Sequence, residues 1–553
     1  MKQGWELIII LSLCVLVYFN SMGNGFLNFD DSDNRILQNP FLTSWTWDHV
    51  KTAFSQATTQ YYDPVYILSY AIDFHLWGMN PAGFHMDNLF LHAANSILLF
   101  WVLRALTGKR SLALLAVVLF AVHPIHVESV SWATSRKDVL SHFFAFASFL
   151  VYVNGKQKTR GGYMICVVAA TLLLLLGMMV KPTVGVLPAV ILMSDLLMGA
   201  KPVPWKRICF YQTVCLGSLV IYMFLTFPMT LGGAVKPEIH LSPVEHLGLF
   251  LDLYGFFVKL ILFPVNLSAF YLINVSETIY SVMVLVYIPC LLAAVYWIFA
   301  AISRSLKERT MLDGNSQLAW ATATYLFGLL PFTNILPRTI YLADRYEYLA
   351  SVGFCFAVSI LLLEINKAGL RVSAAGTLIV LYSVLSMDRI PVWKNSSTLW
   401  ADTDHKRNIS RLEHHKNMAN AYGFEGQWGK AVQEYESAGI DNVTDAETLL
   451  RISKIYMTAG QKEQAEQLLE KTINRYPQFF PAIHELIMWN IGSKEYRKAE
   501  DLLRFYEDRF EEKESVNIRN LIRYDKEGDL EQASLVYRNL QIEIWKRWSH
   551  VRK

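Results

Sequence analysis

The sequence predicts an all-α protein in two parts, a helical bundle that crosses a membrane many times and then a stack of paired helices. Three observations predict it. The 553 residues are 53% hydrophobic but only 18% charged, less charge than a soluble chain of this length carries. Nearly all the long apolar runs fall before residue 390, and the remainder is rich in Lys, Glu, Gln and Arg. Within that polar tail Ala431, Ala465, Ala499 and Ala533 recur every 34 residues. We divide the chain into a membrane part, 1–390, a linker, 391–417, and a repeat part, 418–553. The net charge of +3 is small and dispersed, so nucleic acid is not expected as a partner. The six cysteines lie in apolar runs without a CxxC or disulfide framework and read as buried and inert.

A crossing helix needs roughly 17–25 mostly apolar residues. Candidates run at about 5–20, 84–106, 111–130, 137–153, 162–180, 183–199, 207–228, 279–302, 317–336, 344–363 and 371–388. The first reads as a retained signal anchor, because Asn20-Ser-Met-Gly is a poor cleavage site. With the N-terminus cytoplasmic, basic residues collect on the inner side of five successive loops: Arg104/Lys109/Arg110, Lys156/Lys158/Arg160, Lys201/Lys206/Arg207, Arg304/Lys307/Arg309 and Lys367/Arg371. The run 246–264 would break this alternation and is expected to be re-entrant or in-plane on the external side. That gives about eleven crossings, with the polar tail sharing the external compartment.

In the tail, Gly426, Gly460 and Gly528 each precede a repeat alanine by five residues, and Lys494 stands in the third unit's place. Alanine lets two helices approach closely, and the glycine ends the first helix of each pair. A 34-residue period of this kind marks tetratricopeptide (TPR) helix pairs, which stack into a solenoid suited to protein binding.

Charges at a membrane edge are costly, roughly 2.5–3.5 kcal/mol each, and point to function. Asp30 and Asp31 fall on the first external loop, some ten residues after the first apolar segment. A carboxylate there can activate a hydroxyl that attacks a lipid-carried substrate. His85, Asn88, His92 and Asn95 form one polar stripe at helical spacing. For His92 and Asn95 we expect interhelical hydrogen bonding; for His85 and Asn88, nearer the outer surface, packing and function weigh equally. The block His123-Pro-Ile-His126-Val-Glu128 could hold a metal, a phosphate or a proton, although Pro124 disrupts helical ligand spacing and zinc is not expected. Arg136, Lys137, Asp138, Lys181, Arg338, Asp344 and Arg345 are expected at the same outer face. Such a cationic group suits a lipid phosphate, since guanidinium geometry matches phosphate oxygens. No Walker loop, dinucleotide fingerprint, GxSxG or HExxH is present, which disfavours nucleotide chemistry on the cytoplasmic side.

These residues resemble the GT-C membrane glycosyltransferases, above all the transmembrane and TPR-containing O-mannosyltransferases and their bacterial relatives. The resemblance is carried by Phe29-Asp-Asp31 with Asn39, Tyr62-x-Pro64 with Leu68-Ser69, Gly83-Phe-His85-x-x-Asn88 through His92-Ala, and Phe120-Ala-Val-His-Pro-Ile-His-Val-Glu-Ser-Val with Arg136-Lys-Asp138. Pro264-x-Asn-Leu-Ser268, Asp344-Arg-Tyr-x-Tyr-Leu-Ala-Ser-Val-Gly-Phe354 and the repeat tail complete it. It implies transfer of a sugar, a hexose such as mannose, from a polyprenyl-phosphate donor to a Ser/Thr or glycan hydroxyl on the external face. The acidic role would fall to Asp30 or Asp31. Donor-phosphate contacts would map to Arg136, Lys137 and Arg345, with Lys181 and Arg338 joining from position alone. Tyr62, His85, His123, His126, Glu128, Asp138 and Asp344 would line the pocket. Relatives carry Arg before the proline of Tyr-x-Pro where this chain has Asp63, so the donor head group and any divalent cation are left open; no cofactor is certain.

The expected partners are the lipid-linked donor, a protein or glycan acceptor bound by the TPR tail, and membrane lipids. The expected location is a bacterial inner membrane with a periplasmic tail, the endoplasmic reticulum being the alternative. One rival reading is a non-enzymatic scaffold that anchors a TPR platform for envelope assembly. A lipid or glycan transporter would need polar residues running through several spans, and here they stop at one face.

Overall fold

A computed structural model describes residues 4–32, 36–37, 39, 42, 46–55, 62–199, 203–231, 242–271, 282–307, 313–334, 341–406, 410–440 and 443–551. Every regular element among them is a helix, and the chain forms two compact units, Met1–Ile409 and Ser410–Lys553.

In the first unit six helices are long and apolar enough to cross a membrane: Trp5–Gly23, Pro81–Thr107, Arg160–Met178, Trp205–Thr226, Val286–Lys307 and Ala368–Trp393. A seventh candidate is broken, because Arg110–Val122 and Pro124–Ser131 meet at 52°. Proline supplies no backbone N–H and ends the first helix at His123. Pro182 and Pro331 likewise open short 3-10 turns at the ends of other apolar helices. Length and composition among the described residues therefore support six or seven crossings and leave the expected eleven unconfirmed. The segment expected as re-entrant is the helix Pro243–Leu262, capped at Ser242 by a reciprocal bond with Glu245 and outside that set of six.

Large apolar side chains cover the outside of these helices: Ile8, Leu16, Ile165, Val220, Phe224, Phe299, Val372 and Val384 are all exposed. In water such a surface would aggregate; against lipid tails it is the favoured one. Helices Gly314–Leu329 and Ala350–Leu363 touch backbone to backbone, since a Cβ at Gly353 would sit 2.2 Å from the Ala321 carbonyl oxygen. At one end of the unit Arg110 pairs with Glu6, Lys156 pairs with Asp195, and Arg207 donates to the Lys156 carbonyl. The opposite end carries the candidate site.

The second unit is four helix pairs: Arg411–Phe424 with Trp428–Ala438, Ala446–Thr458 with Lys462–Arg475, Phe480–Gly492 with Tyr496–Phe505, and Glu512–Glu527 with Leu530–Val551. The four alanines of the 34-residue period are buried in its core. Gly426, Gly460 and Gly528 adopt left-handed φ angles of 74°, 82° and 77°, and Lys494 is forced to the same conformation at 61°. A left-handed residue with a Cβ costs roughly 1–2 kcal/mol, whereas glycine's extra unfolded entropy costs roughly 0.5–1. Lys494→Gly is thus expected to stabilise this pair by about 0.5–1 kcal/mol. Slower amide exchange across residues 480–505 of the full chain checks this, and Lys494→Ala should gain nothing.

Candidate functional site

The loop that follows the first helix is clamped from two sides. Toward one side Asn24 Nδ2 donates to the Ser131 carbonyl at 3.2 Å, and the Ser21 and Ser131 hydroxyls lie 2.7 Å apart. Toward the other, the Gly25 N–H donates to the Lys394 carbonyl at 2.8 Å and the Asn28 N–H to Ser396 Oγ at 2.8 Å. Trp400 Nε1 donates to Asn28 Oδ1 at 3.1 Å. The Phe29 ring rests on Trp132 and Trp400 at 5.0 and 5.7 Å. The stretch 390–405, expected to be part of a linker, therefore forms a turn and a helix, Ser396–His405, that hold this loop.

The two aspartates have different surroundings. Asp31 is fully buried and accepts from the Leu27 N–H at 2.8 Å, from the Thr134 N–H at 3.0 Å and from the Thr134 hydroxyl. Burial pushes its carboxyl up to about 6, against the lowering effect of those hydrogen bonds. Asp30, one residue earlier, is only half-buried.

The partner segment leaves the helix Val127–Ser131 at an extended Trp132 and makes a 3-10 turn, Ala133–Ser135, before the helix Arg136–Gly155, so its carbonyls need outside donors. Tyr66 supplies one to Thr134 at 2.8 Å, Tyr70 one to Ala133 at 2.8 Å and Asn88 one to Trp132 at 3.0 Å. His92 contacts the Tyr348 hydroxyl at 2.8 Å and the Ala121 carbonyl at 3.1 Å, and Asn95 donates to the Val139 carbonyl at 2.8 Å. Both thus tie helices together.

Each of three sequence-nominated cations sits against a carboxylate. Arg136 pairs with Asp73 and also donates to Asn88 Oδ1 at 2.8 Å and the Phe84 carbonyl at 2.7 Å. Lys181 pairs with Asp138, whose other oxygen accepts from Ser135 at 3.2 Å. Arg345 pairs with Glu128. Lys181 and Arg345 share the Tyr346 ring, at 5.4 and 5.2 Å, and Arg345 also lies over Trp132 at 5.4 Å. Lys137 is half-buried beside Asp138. Asp344 accepts from the Tyr271 hydroxyl.

Glu128, Arg345, Asp138 and Lys181 thus form one charge cluster with Arg345 lying over Trp132, and Asp31 is tied to the following turn at Thr134. His123 and His126 are wholly buried; His126 Nε2 lies 3.2 Å from Ser351 Oγ, and the His123 ring meets Tyr382 at 4.4 Å. His85 is also buried, and Tyr62 packs against Tyr222 while donating to the Phe54 carbonyl at 3.1 Å. Arg338 lies outside the described residues. Among the described residues, three ligand atoms within 4.8 Å of one another occur at His414, His415 and Glu434 in the second unit, not at His123, His126 and Glu128. Sequence reasoning missed Tyr66, Tyr70 and Trp400; the aromatic cluster after the last apolar run was the available signal for Trp400.

Comparison with known proteins fits this arrangement. The tetratricopeptide repeat family matches residues 425–487. Protein O-mannosyl-transferase TMTC3 of Mus musculus is 24% identical over 96% of this chain and 59% of its own length. Protein O-mannosyl-transferase TMTC1 of Homo sapiens is 26% identical over 68% of this chain and 47% of its own. Protein O-mannosyl-transferase TMTC4 of Mus musculus reaches 33% over 28% of this chain and 24% of its own. The chain spans about three-fifths of the length of the TMTC3 relatives. No solved structure matches it. The chain is thus similar, along nearly all its length, to TPR-containing O-mannosyltransferases, and it is a multi-pass membrane protein.

Proposed function

We propose that this protein transfers mannose from a polyprenyl-phosphate carrier to a Ser or Thr hydroxyl of a protein, at the external end of its membrane unit. Asp30 is the general base and Asp31 holds the loop. The acceptor oxygen attacks the anomeric carbon as its proton passes to Asp30. The bond from that carbon to the phosphate oxygen breaks, and polyprenyl phosphate leaves with the electron pair. The anomeric centre inverts. Nearby cations stabilise the charge on the leaving phosphate. The repeat unit binds the acceptor protein. The N-terminus faces the cytoplasm, and the site and repeats face the exterior, the periplasm of a bacterial inner membrane. Any divalent cation is outside this scheme.

The observation that carries the reading is the shared Trp132 platform. It takes Phe29, the neighbour of Asp30, on one contact and the Arg345–Glu128 pair on another. That the loop bearing Asp30 and the Arg345 cation share one ring supports an acceptor hydroxyl and a lipid phosphate meeting there. The test is the full-length chain in nanodiscs with mannosyl-phosphoryl-polyprenol and a Ser/Thr-rich protein acceptor. A hexose-sized mass gain on Ser or Thr is expected; intact donor and unmodified acceptor after prolonged incubation would refute the proposal.

A further inference from the structure

The three paired cations described above leave open which group receives the donor's phosphate. Arg389 ends the helix Ala368–Arg389 and is only 8% exposed. Its Nη1 donates to Asp402 at 2.6 Å, while its Nε and Nη2 are buried without an acceptor. A buried donor left unmade costs about 1–3 kcal/mol, and more when charged. A membrane protein that keeps two such donors on one guanidinium has a fork ready for an anion. Lys406 lies beside it, bonded to the same carboxylate at 2.6 Å and to the Leu267 carbonyl at 2.5 Å. Two cations thus share the Asp402 carboxylate, with Asp344 within electrostatic reach of each.

The position suits the reaction. Arg389 runs directly into the turn Ile390–Trp393, and Trp393 stacks on Trp132 at 5.6 Å. Asp344, next in sequence to Arg345, lies within electrostatic reach of both Arg389 and Glu128. The unmet donors therefore belong to the same bundle end as Asp30.

We infer that Arg389, supported by Lys406, binds the phosphate of the lipid-linked donor; this rests on the transferase reading and names its phosphate contact. The bidentate Nε/Nη2 edge matches two phosphate oxygens, and the lipid chain lies along the exposed apolar helices. Asp402 competes with the phosphate for the remaining nitrogen and sets the affinity.

The test measures binding to the full-length chain in phosphatidylcholine nanodiscs, with polyprenyl monophosphate and inorganic phosphate as separate probes. Arg389→Gln and Arg389→Lys should each weaken polyprenyl monophosphate by roughly ten- to hundredfold, since each loses the fork. Asp402→Asn should tighten it, and Arg371→Gln, at the helix's other end, should match wild type. Wild-type affinity in Arg389→Gln overturns the assignment. Should that variant fold poorly, Asp402→Asn decides, and unchanged or weaker binding there overturns it equally. Binding of inorganic phosphate without polyprenyl monophosphate would make this a free-phosphate site and overturn the lipid assignment. If wild type binds the lipid phosphate through Arg389 yet never transfers sugar, this site stands and the transferase reading falls.

Discussion

Asp30→Asn is expected to slow sugar transfer by ~10²–10⁴-fold, with a smaller loss of stability than Asp31→Asn. Asp30 is half-buried and follows Phe29, whose ring rests on Trp132, and an amide at Asp30 keeps the shape but takes no proton. Asp31→Asn should behave in the opposite way. Its carboxylate accepts two backbone N–H groups and a hydroxyl, and an amide must turn its own N–H₂ toward at least one of them. That loss should lower stability by about 1–3 kcal/mol, with transfer falling only as far as the loop loosens. The pH dependence separates the two further. Burial lifts the Asp31 carboxyl from 3.8 to about 6, so folding favours its protonated form. Its stabilising contribution is full below about 4 and is lost as pH rises through about 6. The stability difference between wild type and Asp31→Asn should therefore change across that window. Single-turnover transfer together with thermal melting from pH 4 to 8 checks both variants. Full turnover in Asp30→Asn with none in a stably folded Asp31→Asn would move the base to Asp31.

What the sequence disclosed follows from how local each signal is. Ala431, Ala465, Ala499 and Ala533 were legible because close helix contact leaves room for only a methyl group, and the requirement repeats with every pair. Lys494 in a glycine position was visible as a departure, although its left-handed backbone was not. His92 and Asn95 were legible as cross-helix donors because their spacing puts them on one face. The break in the third apolar run was not, because a hydropathy window does not register that Arg110–Val122 and Pro124–Ser131 meet at 52°. The pairing of the cations was hidden for a different reason. Lys181 meets Asp138 across 43 residues and Arg345 meets Glu128 across 217, and nothing local to either residue announces the partner. The same holds for Arg389, which looked like the first residue after a membrane helix.

The pairing of Arg136, a nominated substrate contact, points to a structural role, and this has the largest consequence for stability. Its side chain is 2% exposed, ion-paired to Asp73, bonded to Asn88 and the Phe84 carbonyl, and set 5.0 Å from the Tyr70 ring. Those partners in turn hold the Trp132 and Ala133 carbonyls through Asn88 and Tyr70. Arg136→Met leaves the Asp73 carboxylate buried without its cation, a change that costs about 3–5 kcal/mol. On a fold of ordinary marginal stability this should cut the yield of monodisperse protein several-fold and lower the melting temperature sharply. Asp73→Asn combined with Arg136→Met removes the stranded charge and should recover most of that loss, because a neutral amide is far less costly to bury than a carboxylate. Melting and yield of the single and double variants measure the coupling directly. A residue that binds donor phosphate gives the reverse pattern: the single variant would melt like wild type and lose donor affinity, and removing Asp73 would not restore it. The first pattern leaves phosphate recognition to Arg389 and assigns Arg136 to holding the Trp132 turn against the loop that carries Asp30.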